Sequence, residues 1–161
     1  IMQYPVLADG KFPLGELVTD GAAGIREAFT VALDLASAYL RAGQEAKAES
    51  LLSMVESELP EWPQIGMWTW GYGFANAELH ALRGDDERAI AALQEGAAKG
   101  IRYMWRFHLL HNPNLESIRN TPEFAAIIAE IEADMAAQLA RVRLMERNGK
   151  LEPIPEISAA Q

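Results

Sequence analysis

The stretch Tyr39-Leu-Arg-Ala-Gly-Gln-Glu-Ala-Lys-Ala48 has a counterpart further along the chain, His80-Ala-Leu-Arg-Gly-Asp-Asp-Glu-Arg-Ala89. Each stretch begins with a ring residue, has a glycine four residues later and ends with alanine; Leu52 or Leu93 follows four residues after that alanine. The glycine permits a tight turn between two helices, and the alanine lets their backbones approach closely. The repeated spacing therefore predicts two helical hairpins.

Apolar residues at steps of three and four surround both stretches, as in helices that bury one face. We expect the first hairpin over residues 25–60 and the second over residues 67–100. Asp85 is the predicted N-cap of the last helix in the second hairpin. The predicted core stripes are Ile25, Phe29, Ala32, Leu33, Ala36, Tyr39 and Leu40, then Ala48, Leu51, Leu52, Val55 and Leu59, then Trp70, Phe74, Ala77 and Ala81, then Ala89, Ile90, Leu93 and Ala97.

The aromatic stretch Trp68-Thr-Trp-Gly-Tyr-Gly-Phe74 opens the second hairpin. Trp70 and Phe74 lie on its core stripe, whereas Trp68 and Tyr72 fall on other faces and could line a groove. The two glycines each weaken a helix by about 1 kcal/mol relative to alanine. We therefore expect another backbone to pack closely against them.

Residues 101–149 are predicted to form helices that cap the second hairpin, whose outer apolar face is otherwise open. A short helix is expected over residues 101–111 and a further turn over 115–119. Thr121 should cap a long helix that starts at Pro122 and stops before Asn148-Gly149. Its apolar edge is Phe124, Ile127, Ile128, Ile131, Met135, Gln138, Leu139 and Val142.

Composition excludes several classes of function. The chain has 161 residues, which fits a single domain over 1–161, with an irregular lead-in at 1–23 and a loose tail at 150–161. The net charge of −9 argues against nucleic-acid binding, and no apolar run is long enough to enter a membrane. The first residue, Ile1, suggests a piece of a longer protein. Cytoplasm is favoured over periplasm, and monomer and homodimer both stay open.

The sequence offers no arrangement typical of an active site. It has no cysteine, no phosphate-binding loop, no nucleophile elbow and no dinucleotide fingerprint. His108 and His111 are three residues apart but lack a third ligand nearby, so a structural role is predicted for both. His80 is predicted to fill the core. We therefore expect no enzymatic activity, no metal and no cofactor.

The repeated spacing of ring residue, glycine, alanine and leucine resembles the tetratricopeptide repeat family. The first copy of the motif is carried by Tyr39, Gly43, Ala48, Leu52, Val55 and Pro60, and a weaker copy by His80, Gly84, Ala89 and Leu93. The copies lie 41 residues apart, against about 34 in the family. The chain after Gly24 also resembles the C-terminal, repeat-containing region of bacterial multidomain regulators, including adenylate-cyclase-like and winged-helix proteins.

The resemblance implies an all-α fold: an α-α superhelix of tetratricopeptide-like antiparallel hairpins with a long C-terminal capping helix. It also implies a protein-interaction or regulatory module in a larger bacterial signalling or transcription-regulatory protein, with a protein or peptide as partner. The partner's groove would be lined by Thr30, Leu33, Ser37, Arg41, Gly71, Phe74 and Glu78. The family's best-known peptide clamp has Lys and Asn at the positions of Leu33 and Ser37, which argues against recognition of a C-terminal carboxylate.

Two alternatives remain open from the sequence. The first is a small-ligand sensor whose aromatic pocket is formed by Trp68, Tyr72, Trp105 and His108. The second is a dimerisation domain built on the long last helix.

Overall fold

Residues 22–59 and 72–151 are described by the computed structural model, with side chains from residue 30 and from residue 73 onward. In these ranges the chain is helical, with no strand, so the all-α class is confirmed. The elements are α1 (Ala22–Arg41), α2 (Glu45–Glu58), α3 (Tyr72–Leu82), α4 (Asp86–Ala98), a π-helical turn (Arg106–His111), a 3₁₀ turn (Pro113–Leu115) and α5 (Pro122–Arg147).

The two predicted tight turns have the same geometry. Gly43 and Gly84 adopt φ values of 68° and 75°, in the left-handed region that glycine enters most easily. The amide that follows each glycine donates a 2.9 Å hydrogen bond to the carbonyl of the ring residue, Tyr39 or His80. Each turn reverses the chain, so that α2 packs against α1 and α4 packs against α3.

Small residues mark the points where these helices approach. Ala48 and Ala89 are fully buried, as expected for residues that set the distance between two backbones. A β-carbon added to Gly73 would lie 3.1 Å from the Cα of Gly96, so α3 and α4 are in near contact there. The close approach expected at the glycines is thus found at Gly73, while Gly71 lies outside the described residues.

Helix α3 separates two hydrophobic clusters. Ala75 and Leu79 on one face pack into the cluster between α1 and α2. Phe74, Ala77 and Ala81 on the other face pack into a larger cluster with α4, the segment 101–118 and α5. The buried members of this larger cluster beyond α3 are Ala89, Ala92, Leu93, Ala97, Ile101, Trp105, Leu109, Leu115, Ile118, Phe124, Ile127 and Ile131.

Only the first half of α5 covers this core. Thr121 caps the helix as predicted, its hydroxyl oxygen accepting a 3.2 Å hydrogen bond from the amide of Phe124. Phe124, Ile127 and Ile131 are buried, whereas Leu139 is 50% and Val142 44% exposed. The apolar stripe continues in sequence along the whole helix, but its second half has no partner among the described residues.

An arginine fastens the covered half of α5. The Nε of Arg102 forms a 2.7 Å ion pair with Asp134, and its Nη1 donates to the carbonyls of Ala97 and Ile101 at 3.0 and 2.9 Å. Those carbonyls belong to the end of α4 and the residues after it. Arg102 therefore ties α5 to the C-terminal end of α4, where a positive charge is favourable.

Some predicted boundaries differ. Helix α1 begins at Ala22 rather than Ile25, and the helix expected over 101–111 is reduced to Trp105 and the π-helical turn. The turn expected over 115–119 is a 3₁₀ turn that starts earlier, at Pro113. Residues 22 and 23 of the predicted irregular lead-in are helical, while the rest of that lead-in, residues 67–71 of the second hairpin and the tail after residue 151 lie outside the described residues.

We predict that Ala48→Leu and Ala89→Leu will each lower the free energy of unfolding by about 1–3 kcal/mol, because extra methylene groups at a helix crossing force the backbones apart. Urea denaturation followed by circular dichroism measures this. Ala46→Leu is the matched control, since Ala46 is exposed on the same helix as Ala48. Equal midpoints for all three variants would contradict the crossing points.

We predict that Ile131→Ala will lower the free energy of unfolding by about 2–5 kcal/mol, because Ile131 is buried against the larger cluster. Leu139→Ala on the same helix should change it by less than about 0.5 kcal/mol. Thermal and urea melts of both variants test the difference. Comparable losses would mean that the second half of α5 is also covered.

Candidate functional site

A cavity of about 300 Å³ lies where α1, α3 and the segment 107–114 meet. Helix α1 forms one side, a single residue of α3 contributes to the lining, and the π-helical and 3₁₀ turns form the other side. It is lined by Thr30, Asp34, Ser37, Ala38, Arg41, Glu78, Phe107, His108, His111, Asn112, Pro113 and Asn114. This mixture of carboxylates, amides, imidazoles and an aromatic ring makes it the candidate binding site.

The α1 side of the cavity follows from helical spacing. Thr30, Asp34, Ser37, Ala38 and Arg41 recur at steps of three and four, which places them on one face of the helix. The core residues of α1 occupy the neighbouring positions. All five lining residues except Ser37 are exposed, so the cavity can be reached from solvent along α1.

Glu78 is the buried acid of the site. Its side chain belongs to α3, which is enclosed by α1, α4 and the 3₁₀ turn, and the residue is only 5% exposed. Neither Glu78 nor Asp34 forms an ion pair with a described residue. Because a buried carboxylate loses its hydration, the hydrogen bonds of Glu78 must offset that loss.

Asn114 supplies that compensation and joins the two carboxylates. Its Nδ2 donates to Glu78 Oε2 at 3.0 Å and to Asp34 Oδ1 at 3.1 Å. The side-chain oxygen of Asn112 accepts a 2.9 Å hydrogen bond from the Asn114 amide, which fixes the turn. Asn114 is 4% exposed, and its Oδ1 has no hydrogen-bond partner.

Burial raises the pKa of Glu78 to about 7, because the charged form loses its hydration. Hydrogen bonds from the side chains of Asn114 and Asn112 act in the opposite direction, and the charge of Asp34 adds to the increase. Desolvation outweighs both hydrogen bonds. Glu78 therefore changes charge near neutral pH.

Aromatic rings form the wall opposite α1. His108 stacks on Phe74, with ring centroids 4.8 Å apart and planes inclined by 15°. Phe107 meets the same imidazole edge to face, at 5.5 Å and 85°. The π-helical turn places these adjacent residues together at the cavity, and single π-helical turns occur frequently at functional sites.

The structure places the predicted groove residues in three different environments. Thr30, Ser37, Arg41 and Glu78 line the cavity. Leu33 is 1% exposed and packs in the core between α1 and α2, so it does not reach the groove.

Gly71 and Phe74 are the other two residues predicted for the groove. Phe74 is buried behind His108 and supports the wall without lining it. Gly71 lies outside the described residues.

Asp34 and Asn114, which take part in the hydrogen bonds of the cavity, were not predicted as site residues. Asp34 was detectable, since it shares the face of Thr30 and Arg41, and a charged residue suits a groove better than Leu33 does. Asn114 carried a weaker signal: the Asn-Pro-Asn sequence indicates a turn. The Asn-Pro-Asn sequence does not show that the side chain of Asn114 contacts both α1 and α3.

The aromatic residues of the alternative sensor pocket are not brought together. Trp105 is 2% exposed and belongs to the larger cluster, whereas His108 lines the cavity. Trp68 lies outside the described residues, as does the side chain of Tyr72.

The described residues include neither a metal-binding cluster nor a helix that could span a membrane. His108 and His111 both line the cavity, but the described residues contain no group of three or more histidine or acidic side chains arranged to hold a metal ion. None of the described helices is both long and apolar enough to cross a bilayer.

Comparison with protein-family models, with curated proteins and with solved structures gave no match for this chain.

We predict that the contribution of Glu78 to stability will fall as the pH rises from about 4.5 to about 7. The folded state raises the pKa of Glu78 from 4.5 to about 7, so it binds a proton more tightly than the unfolded chain in this window. The free energy of unfolding that Glu78 loses across this window is of the order of 3 kcal/mol. In the Glu78→Gln variant this loss should be absent. Urea titrations at pH 5 and pH 8 measure the difference between the two proteins.

Glu132→Gln is the matched control, because Glu132 is exposed on α5 and the same amide replacement leaves the cavity unchanged. It should retain the pH dependence of the unmodified chain. A Glu78→Gln variant with the same pH dependence as the unmodified chain would show that Glu78 titrates normally.

Proposed function

We propose that this chain is a tetratricopeptide-like protein-interaction module, part of a larger bacterial signalling or transcription-regulatory protein. Its partner is a protein that inserts an extended segment into the cavity between α1, α3 and the segment 107–114. The proposal assigns the site to binding and not to catalysis.

The repeated turn supports the tetratricopeptide-like part of the proposal. Gly43 and Gly84 share a left-handed conformation, and the same hydrogen bond reaches back to the ring residue in both turns. Ala48 and Ala89 are fully buried at equivalent positions of the two helix pairs. Two supersecondary units with one turn geometry are what a helical repeat requires.

The cavity supports the binding part, and it is the observation that carries the proposal. Its α1 side consists mainly of exposed residues, so a partner segment can reach it. Asp34, Glu78 and Asn114 form its floor, and the last two are buried. A small number of fixed polar groups in a concave site gives a partner orientation and specificity.

A small-ligand sensor is the second candidate, and the size of the cavity favours it. About 300 Å³ lies at the lower end of the range of small-molecule sites, roughly 300–1,000 Å³. This candidate uses the same floor but needs no extended segment, so peptide and small-molecule probes separate the two.

We predict that peptides selected from a random phage-displayed library on the unmodified chain will lose at least tenfold in affinity for Ala38→Trp. Ala38 is exposed and lines the cavity, so an indole there would fill the space that the peptide needs. Fluorescence anisotropy with the synthetic peptides measures the dissociation constants.

Ala46→Trp is the control, because Ala46 is exposed on α2 and does not line the cavity. It should bind the selected peptides as tightly as the unmodified chain. Peptides with equal affinity for both tryptophan variants would place the binding surface elsewhere and reject the proposed groove.

A further inference from the structure

We propose that the floor of the cavity binds a cationic side chain of the partner, the guanidinium of an arginine or the ammonium of a lysine, between Asp34 and Glu78. This inference rests on the proposed function and specifies the chemistry of the segment that the groove accepts.

The floor is rich in hydrogen-bond acceptors. Asn114 Nδ2 lies 3.1 Å from Asp34 Oδ1 and 3.0 Å from Glu78 Oε2, so the two carboxylates are held on either side of one amide. Each carboxylate oxygen has more than one lone pair, and Asn114 uses one oxygen of each group. Asp34 Oδ2 has no hydrogen-bond donor among the described residues and remains for a ligand, whereas the side chain of Asn112 is a second amide that stabilises charged Glu78.

The side-chain oxygen of Asn114 is a covered acceptor without a partner. Asn114 is 4% exposed and its Oδ1 accepts no hydrogen bond. An unsatisfied buried acceptor is costly in a folded protein. Guanidinium and ammonium groups carry only donors, so they match a floor that contains two carboxylates.

The charges in the cavity favour the same ligand. Neither carboxylate forms an ion pair with a described residue, although buried acids are normally paired with a cation. Arg41 lines the cavity, but it follows Asp34 by seven residues of α1, which corresponds to about 10 Å along the helix. Glu78 itself has amide partners and no ion pair with a described residue, so a cation of the partner would complete its environment.

The wall of the cavity also suits a cation. Phe107 is 59% exposed and lines the cavity. A cation held above an aromatic face gains additional attraction, and the planar guanidinium can also stack on it. An anionic segment, by contrast, would approach two carboxylates.

The test uses nuclear magnetic resonance of the ¹⁵N-labelled chain, with the side-chain amide of Asn114 as reporter. The probes are two blocked tripeptides, acetyl-Ala-Arg-Ala-amide and the same peptide with citrulline, which keeps the shape of arginine without its charge. We expect the arginine peptide to shift the Asn114 signals saturably and to bind at least tenfold more tightly than the citrulline peptide. Equal affinities, or no shift, would overturn the inference.

Two variants locate the charge requirement. Asp34→Asn changes an exposed residue and Glu78→Gln a buried one, and each should weaken the arginine peptide at least fivefold while the circular dichroism spectrum is unchanged. Glu132→Gln, remote from the cavity, should bind as the unmodified chain does. Unchanged affinity in both cavity variants would reject the carboxylates as the binding groups.

Propylguanidine, a singly charged guanidinium compound without a peptide backbone, separates the two sources of the cation. Weaker binding than the tripeptide supports a peptide side chain, whereas equal or tighter binding would overturn the peptide as source and favour the sensor candidate. If the arginine peptide fails while the phage-selected peptides still depend on position 38, the cation inference alone is lost. Failure at position 38 would reject the proposed groove itself.

Discussion

The enclosure of α3 is the constraint on which the rest of the structure depends. Between Gly73 and Leu79 every residue except Asn76 is buried, because α1, α4 and the 3₁₀ turn surround the helix. Such a helix must present small residues where another backbone approaches, and Gly73 does so against Gly96. It must also satisfy any polar group that it carries. Glu78 is that group, and the turn around Asn114 is positioned by the need to satisfy it.

The arginines of the described residues that form ion pairs do so with acids other than Glu78. Arg83 pairs with Glu49 and Glu56 at 2.7 and 2.8 Å, and Arg102 pairs with Asp134. Surface pairs of this kind contribute little to stability. The buried acid, where a cation would matter far more, has only amide partners. A fold optimised for stability alone would place a cation or an apolar residue there, and sites that break such rules are typically functional ones.

Local chemistry explains how much of this could be predicted from the sequence. The glycines of the two turns, the buried alanines and the Thr121 cap were predicted because each depends on neighbours within one or two helical turns. Asn114 was missed because its partners Asp34 and Glu78 lie 80 and 36 residues away in the sequence. The exposed half of α5 was also missed. The apolar stripe continues along the whole helix, and the sequence of α5 does not show where the core that it packs against ends.

The same contacts that hold the turn also prepare the site for a ligand. Asp34 and Glu78 lie on helices, Asn112 orders the Asn114 backbone, and Arg119 donates to the carbonyl of Asn112 from the other side. The acceptors of the floor are thus fixed before any partner arrives, and a ligand loses little affinity to ordering them. Asn114 donates to Oδ1 of Asp34, so Oδ2 of the same carboxylate can accept from a ligand while the bond within the fold is kept. Binding at this floor can therefore add to the bridge between α1 and α3 without replacing it.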